Sequence, residues 1–204
     1  MPKLYTMPGT CALAPNIAIA WLDAPVSIEN MAYGDHKKDA YLAVNEKGKV
    51  PAVAFEDGDV LTEAAAILSW LGAEYGSEGY ARDTALGRKE AEALSWFTSE
   101  VHADYGAHFA PKAFAKTESG QDEAKEAAYR KLASHYDRIE RTLGGEDFWL
   151  GRRSFAAAYL YVLSRWIDQT PVPIGANLKA FRERMETDEA VLKALERQSM
   201  QPMG

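Results

Sequence analysis

The chemistry open to this chain starts at a single thiol. Cys11 is the only cysteine in 204 residues and sits in the stretch Thr6-Met7-Pro8-Gly9-Thr10-Cys11-Ala12-Leu13-Ala14-Pro15. Leu4-Tyr5 reads as a strand before it, Pro8-Gly9 as a turn, and Ile17, Ala18, Trp21 and Leu22 as the apolar face of a helix after it. The first N–H groups of a helix have no internal partner and carry partial positive charge. A thiol placed there is expected to have its pKa lowered from ~8.5 into the range of roughly 3.5–7.5, which makes it a nucleophile. A lone thiol can equally be a small buried packing residue.

A second candidate is His102. Ser95, Ser99, His102 and Gly106 fall on one small polar stripe at ~100° per residue. It lies about a third of a turn from an apolar face made by Leu94, Phe97, Val101, Tyr105 and His108. Histidine donates or accepts a hydrogen bond near neutral pH, so the stripe could offer acid–base chemistry to a closely approaching body. It could also be an ordinary solvated face. His102 and His108 are off the i, i+4 spacing of helical metal pairs, and no other metal-ligand spacing appears.

The elements that must position these groups fall into two regions. Lys3 to Met7 reads as a strand, Ala12 to Leu22 as a helix, and Val26 to Met31 as a second strand. Tyr41, Leu42 and Val44 suggest one helical turn. Ala52 to Phe55 and Val60-Leu61 flank Asp57-Gly58, a two-residue hairpin signal. Thr62 is expected to cap a helix whose face is Ala64, Ile67, Leu68 and Leu71. Gly76-Ser77-Glu78-Gly79 reads as a linker, and the chain is helical beyond it. Tyr129, Leu132, Tyr136, Ile139 and Leu143 form one face, ended by Gly144-Gly145. Ser154 to Ile167 carries no charge before Arg165 and reads as a buried central helix. Asp188 to Leu195 reads as a last amphipathic helix.

A chain of this length supports a substantial core. Its formal charge of −7 argues against nucleic-acid or anionic-membrane partners, which require basic patches. One cysteine excludes an internal disulfide, the N-terminus lacks the apolar run of a secretion signal, and the longest nearly uncharged run is far shorter than a membrane span. A cytoplasmic protein is the expectation.

Assembled, these residues resemble the glutathione S-transferase superfamily, and within it the bacterial beta class. The resemblance covers nearly the whole chain. Lys3-Leu4-Tyr5 through Leu13 is similar to the class's cysteine-bearing start, and Val44 through Ala52 to the segment before its third strand. Leu61-Thr62-Glu63-Ala64-Ala65-Ala66-Ile67 is similar to its glutathione-carboxylate motif. Trp96 to His102 with Phe109-Ala110-Pro111 resembles the histidine-bearing helix. Gly151 through Tyr159 with Arg165-Trp166 resembles the buried helix of the second domain. The implied fold is an α/β thioredoxin-like domain (βαβ-ββα) over residues 1–76, a linker over 77–84, and an all-helical bundle over 85–204.

The resemblance also implies roles. Glutathione would be co-substrate, with no metal, and Cys11 and His102 would be catalytic. Val50-Pro51 would be the family's cis-proline bond, with the Val50 backbone pairing with the cysteinyl part of glutathione as an added strand does. Ala64 would offer helix-start N–H groups to the γ-glutamyl carboxylate, Glu63 would accept from the γ-glutamyl amine, and Lys37 or Lys38 would meet the glycyl carboxylate. Ser95 would also lie near glutathione. Ser99 and Glu100 would approach the partner's site in a homodimer. Tyr105, Phe109, Phe114 and Trp166 would wall a pocket for a small hydrophobic electrophile. The implied activities are conjugation of glutathione to electrophiles and thiol–disulfide exchange through a Cys11–glutathione mixed disulfide. Alternatives on the same fold are a non-catalytic binding module and a glutathione-dependent isomerase, dehalogenase or ether-cleaving enzyme.

The sequence departs from the class at Ala12 and Asn16, where many members have serine and histidine, and at Ser95, where some have asparagine. The central helix keeps Ser154 as a cap, but Ala157 replaces the acid of the usual capping box, a change worth ~0.5–1 kcal/mol. Tyr5 reads as structural.

Overall fold

Four short strands form the platform beneath Cys11. The computed structural model describes residues 1–76, 84–144 and 148–203. Strands β1 (Lys3–Thr6), β2 (Ser27–Asn30), β3 (Ala52–Ala54) and β4 (Val60–Thr62) form one sheet in the order β2-β1-β3-β4. β1 runs parallel to β2 and antiparallel to β3, with Leu4 opposite both Ile28 and Val53. A parallel β1–β2 pair needs a crossover, and α1 (Leu13–Leu22) supplies it. α2 (Asp39–Leu42) is the short turn expected around Tyr41. The β3–β4 turn has three residues rather than two: Phe55 N–H donates to Asp59 O at 2.9 Å, and Gly58 takes φ +92°. That positive φ is the glycine position of a three-residue hairpin loop. α3 (Ala64–Tyr75) then crosses the sheet. Thr62 does not cap it; it ends β4, and its hydroxyl accepts from Lys47 Nζ at 3.0 Å.

The helical region begins with α4 (Ala85–Trp96). It passes through a π turn at Phe97–Val101 into α5 (His102–Asp104) and then α6 (Gly106–Phe109). α7 (Glu118–Leu143), α8 (Phe155–Trp166), α9 (Ala176–Glu186) and α10 (Glu189–Arg197) complete the bundle. α7 ends at Gly144 with φ +53°, as its sequence signals predict. Gly145, most of the expected linker (77–83) and Gly204 lie outside the described residues.

The expected burial of α8 holds, since every residue of it except Arg165 is buried. Its first turn is closed in two ways. Ser154 Oγ accepts from Ala157 N–H at 3.0 Å, as the retained cap requires. A second acceptor comes from another helix: Glu90 of α4, buried at 5% exposure, accepts from Phe155 N–H. Burial pushes the Glu90 carboxyl up, and Arg152 at 3.3 Å counters that. Glu140 of α7 serves α9 in the same way, accepting from Asn177 N–H at 2.7 Å and Leu178 N–H at 3.0 Å.

One core spans both regions. Leu4, Leu13, Ile17, Val53, Ile67 and Leu68 pack into the same apolar cluster as Leu132, Leu160 and Phe181, and α1 lies against α8 and α10. Polar pins follow the same seam. Trp21 Nε1–H donates to Asp188 at 3.2 Å, and Gln198 Nε2–H donates to Thr6 Oγ1 at 2.6 Å. On the other side of the sheet, Met31, Tyr41 and Ala52 form a second, smaller cluster. Tyr5 packs edge-on against Tyr41 there, in the structural role read from the sequence. Among the described residues, no helix is long and apolar enough to cross a membrane.

Candidate active site

Between the sheet and the bundle lies a cleft of about 760 Å³. One wall is the loop Met7–Cys11, the second is Val50-Pro51, the third is the start of α3 with Glu63, Ala64 and Ala65, and the fourth comes from the bundle. The bundle wall consists of Thr98, His102, Ala103, Phe109, Tyr159 and Trp166.

Cys11 sits just ahead of α1, partly exposed, with its Sγ 3.8 Å from Val50 O. Its loop is gripped from the bundle. Trp166 Nε1–H donates to Gly9 O at 2.8 Å, and Gly9 N–H points at Met200 Sδ at 3.4 Å. The expected fall in thiol pKa is overturned. Burial is the largest influence and pushes the thiol up to about 11, while the Tyr159 hydroxyl and Cys11's own N–H pull it down. The helix start that was to do the lowering has little to offer, because its N–H groups are already engaged. Ala12 N–H donates to Thr10 Oγ1, Leu13 N–H to Thr10 O and Ala14 N–H to Cys11 O, while Pro15 has no N–H at all.

Val50-Pro51 is cis, as the resemblance implied, and both residues line the cleft. Glu63 stands at φ +70°, and no side chain caps α3. Its first N–H groups therefore open onto the cleft. Lys47 bonds Glu63 at 3.1 Å. Three lysines also line the cleft. Lys37 donates to Gly48 O at 2.9 Å, Lys47 reaches Glu63, and Lys49 is exposed beside Val50. Lys38 is turned away into an ion pair with Asp35 at 2.6 Å.

His102 reaches the cleft because of the π turn. Wider coils are common where a helix meets a functional site, and this one changes the phase assumed in the sequence reading. Thr98 and His102 line the cleft, whereas Ser95, Ser99 and Glu100 are exposed outside its lining. His102 Nδ1 lies 2.6 Å from the Tyr159 hydroxyl, and the ring packs edge-on against Trp166 at 4.8 Å. Burial holds its pKa below the usual histidine value.

Two of the four expected pocket walls are revised. Phe109 and Trp166 line the cleft. Tyr105 is fully buried, and its hydroxyl is occupied by Tyr136 at 2.7 Å and Leu163 O at 3.1 Å, which makes it core. Phe114 lies outside the cleft lining, its ring against Gly106, where a Cβ would stand 2.8 Å from Phe114 Cζ. Sequence reasoning missed Thr98 and Tyr159. Thr98 was hidden by the π turn, and Tyr159 read only as part of an apolar helix face.

A family model described as "Glutathione S-transferase, N-terminal domain" matches residues 10–74. Over full length the chain is 33% identical to a glutathione S-transferase from Xylella fastidiosa, covering 98% of this chain and 100% of that one with a TM-score of 0.90. The chain belongs to the glutathione S-transferase family. A sphingomonad glutathione S-transferase solved in complex with glutathione is 31% identical, with coverage of 98% and 100% and a TM-score of 0.80. A beta-class glutathione S-transferase from Sphingomonas chungbukensis is 29% identical, with the same coverage and a TM-score of 0.81. The thioredoxin-like sheet followed by a helical bundle is thus the glutathione S-transferase fold, close to the bacterial beta class. At the departure Asn16, the side chain is buried and turned toward the bundle, its Oδ1 accepting from Arg197 at 3.3 Å.

Proposed function

We propose that this glutathione S-transferase conjugates glutathione to small apolar electrophiles, with Cys11 also able to hold glutathione in a mixed disulfide. The observation that carries the reading is that one cleft gathers Cys11, the Val50-Pro51 edge, the uncapped start of α3 and His102. The γ-glutamyl carboxylate would take the free N–H groups at Ala64 and Ala65, with Glu63 accepting from the amine. The Val50 backbone would pair with the cysteinyl unit. Lys37 and Lys49, both exposed and both in the cleft lining, would meet the remaining carboxylate. The electrophile would lie against Phe109, Trp166, Thr98 and Ala103. Ser99 and Glu100 lie on an exposed face that we assign to the partner in a homodimer.

The raised thiol pKa weights the two activities. At about 11, only ~1 in 10⁴ of the Cys11 side chains is ionised at pH 7. A protonated thiol can donate a hydrogen bond to the glutathione thiolate, which serves conjugation. Exchange needs the thiolate itself: it attacks a glutathionyl disulfide, forms Cys11–S–SG and expels the other thiolate. A second glutathione must then attack the mixed disulfide, releasing Cys11 and oxidised glutathione.

The test combines three measurements: retention on immobilised glutathione, turnover of a halogenated nitroarene, and intact mass after oxidised glutathione. Retention with turnover is expected, together with a mass gain of one glutathione that Cys11→Ala abolishes. Retention without turnover would replace the enzyme with a binding module.

A further inference from the structure

Tyr159 lines the same cleft, yet it has no part in the chemistry above. It lies in the second turn of α8 and is 1% exposed. Its oxygen is 2.6 Å from His102 Nδ1. We propose that Tyr159 is a positioning residue for His102: its hydroxyl fixes the imidazole tautomer, so that His102 offers the cleft an N–H donor at Nε2 and not a base.

A buried O–H needs an acceptor. Among the described residues, the Tyr159 hydroxyl has His102 Nδ1, while the Cys11 thiol is engaged with Val50 O at 3.8 Å. Were the imidazole proton on Nδ1, the tyrosine O–H would point at another donor. Burial raises the phenol, which keeps its proton, and holds the imidazole below its usual value, which leaves it neutral at pH 7. A neutral imidazole that accepts at one nitrogen carries its proton on the other, so Nε2 is the donor. Among the described residues Nε2 has no hydrogen-bond partner, and it is not one of the buried polar atoms left without one. It is therefore open to the cleft that His102 lines.

Both members of the pair are held by their neighbours. Trp166 packs edge-on against the imidazole at 4.8 Å, and its own indole N–H is tied to Gly9 O at 2.8 Å. Tyr159 rides on α8, whose first turn is closed by Ser154 and Glu90. The proposal rests on glutathione occupying this cleft. There Nε2–H would donate to the glutathione sulfur as its S–H ionises. The S–H bond breaks, its proton leaves to water, and the N–H bond of His102 stays intact. His102 thus lowers the thiol pKa by hydrogen bonding to the charged form and takes up no proton.

Nitrogen-15 NMR of the imidazoles reads the tautomer without glutathione, so the tautomer and the glutathione reading fail separately. The chain has four histidines, and the signals lost in His102→Ala identify those of His102. At neutral pH the wild type is expected to show Nε2 protonated and Nδ1 unprotonated, and Tyr159→Phe to admit the second tautomer. In turnover of a halogenated nitroarene, Tyr159→Phe should lower kcat about three- to tenfold. Its KM for glutathione should stay within about twofold, since the loss falls on the transition state. His102→Gln keeps an amide N–H near the place of Nε2 and cannot act as a base, so it should turn over about tenfold faster than His102→Ala. A proton on Nδ1 in the wild type, an unchanged tautomer in Tyr159→Phe, or His102→Gln no faster than His102→Ala overturns the proposal. Should Tyr159→Phe not fold, the wild-type spectrum and the glutamine–alanine pair decide alone. The expected spectra without turnover by the wild type would remove the glutathione enzyme and leave the tautomer standing.

Discussion

At the start of α8, a hydroxyl from Ser154 and a buried carboxylate from Glu90 take the first N–H groups. At the start of α3 no side chain caps the helix, and Glu63 is held at φ +70° with its carboxylate exposed toward Lys47. Both helices face the same problem of unpaired N–H groups. α8 solves it inside the protein and gains stability. α3 leaves it open at the wall of a cleft, where a ligand carboxylate can complete it. A closed helix start belongs to the fold; an open one on a cleft belongs to binding.

The largest expected effect comes from opening the closed end. Glu90→Ala leaves buried N–H groups at Phe155 and Ala156 and removes a carboxylate from Arg152. It should cost about 3–5 kcal/mol in urea unfolding. If stability is unchanged, the two helix starts are alike and the contrast fails. Next comes Glu63→Ala at the open end. Glutathione affinity by calorimetry should weaken by about ten- to a hundredfold, the worth of a charged hydrogen bond. Stability should move by under ~1 kcal/mol, because the Lys47 pair is exposed. A large loss of stability with unchanged affinity would reverse the assignment. Ser154→Ala should cost ~1 kcal/mol and leave affinity alone.

The smallest effect is in pH. Burial holds His102 and His108 below the usual histidine range. Between those lowered values and the ordinary ~6.5, the unfolded chain binds more protons than the folded one. Stability should therefore decline as pH falls below about 6.5, and His102→Ala should flatten that decline in thermal scans taken at a series of pH values. A slope that His102→Ala leaves untouched would remove His102 from the account.

Local signals carried the fold. The apolar run of α8, the cap at Ser154, the Asp57-Gly58 turn and Gly144 each lie within a few residues of the feature they specify. The cleft was legible only in part, because its properties come from distant parts of the chain. The Cys11 pKa was misread because burial by the bundle outweighs a helix start whose N–H groups are already used. Glu90 reaches the first turn of α8 from 65 positions away, which no local pattern reveals. The π turn displaced the polar stripe toward Thr98, and nothing in residues 97–101 announces it. α9 lacked any reading from the sequence, since its start depends on Glu140 of α7 rather than on a cap of its own.

The grip on Gly9 has a consequence in the order of synthesis. Cys11 leaves the ribosome well ahead of its fastenings: the indole of Trp166, the thioether of Met200 and the amide of Gln198 that hold its loop and strand are made more than 150 residues later. Until the last helices exist, the thiol has a sheet beneath it and no fixed aim.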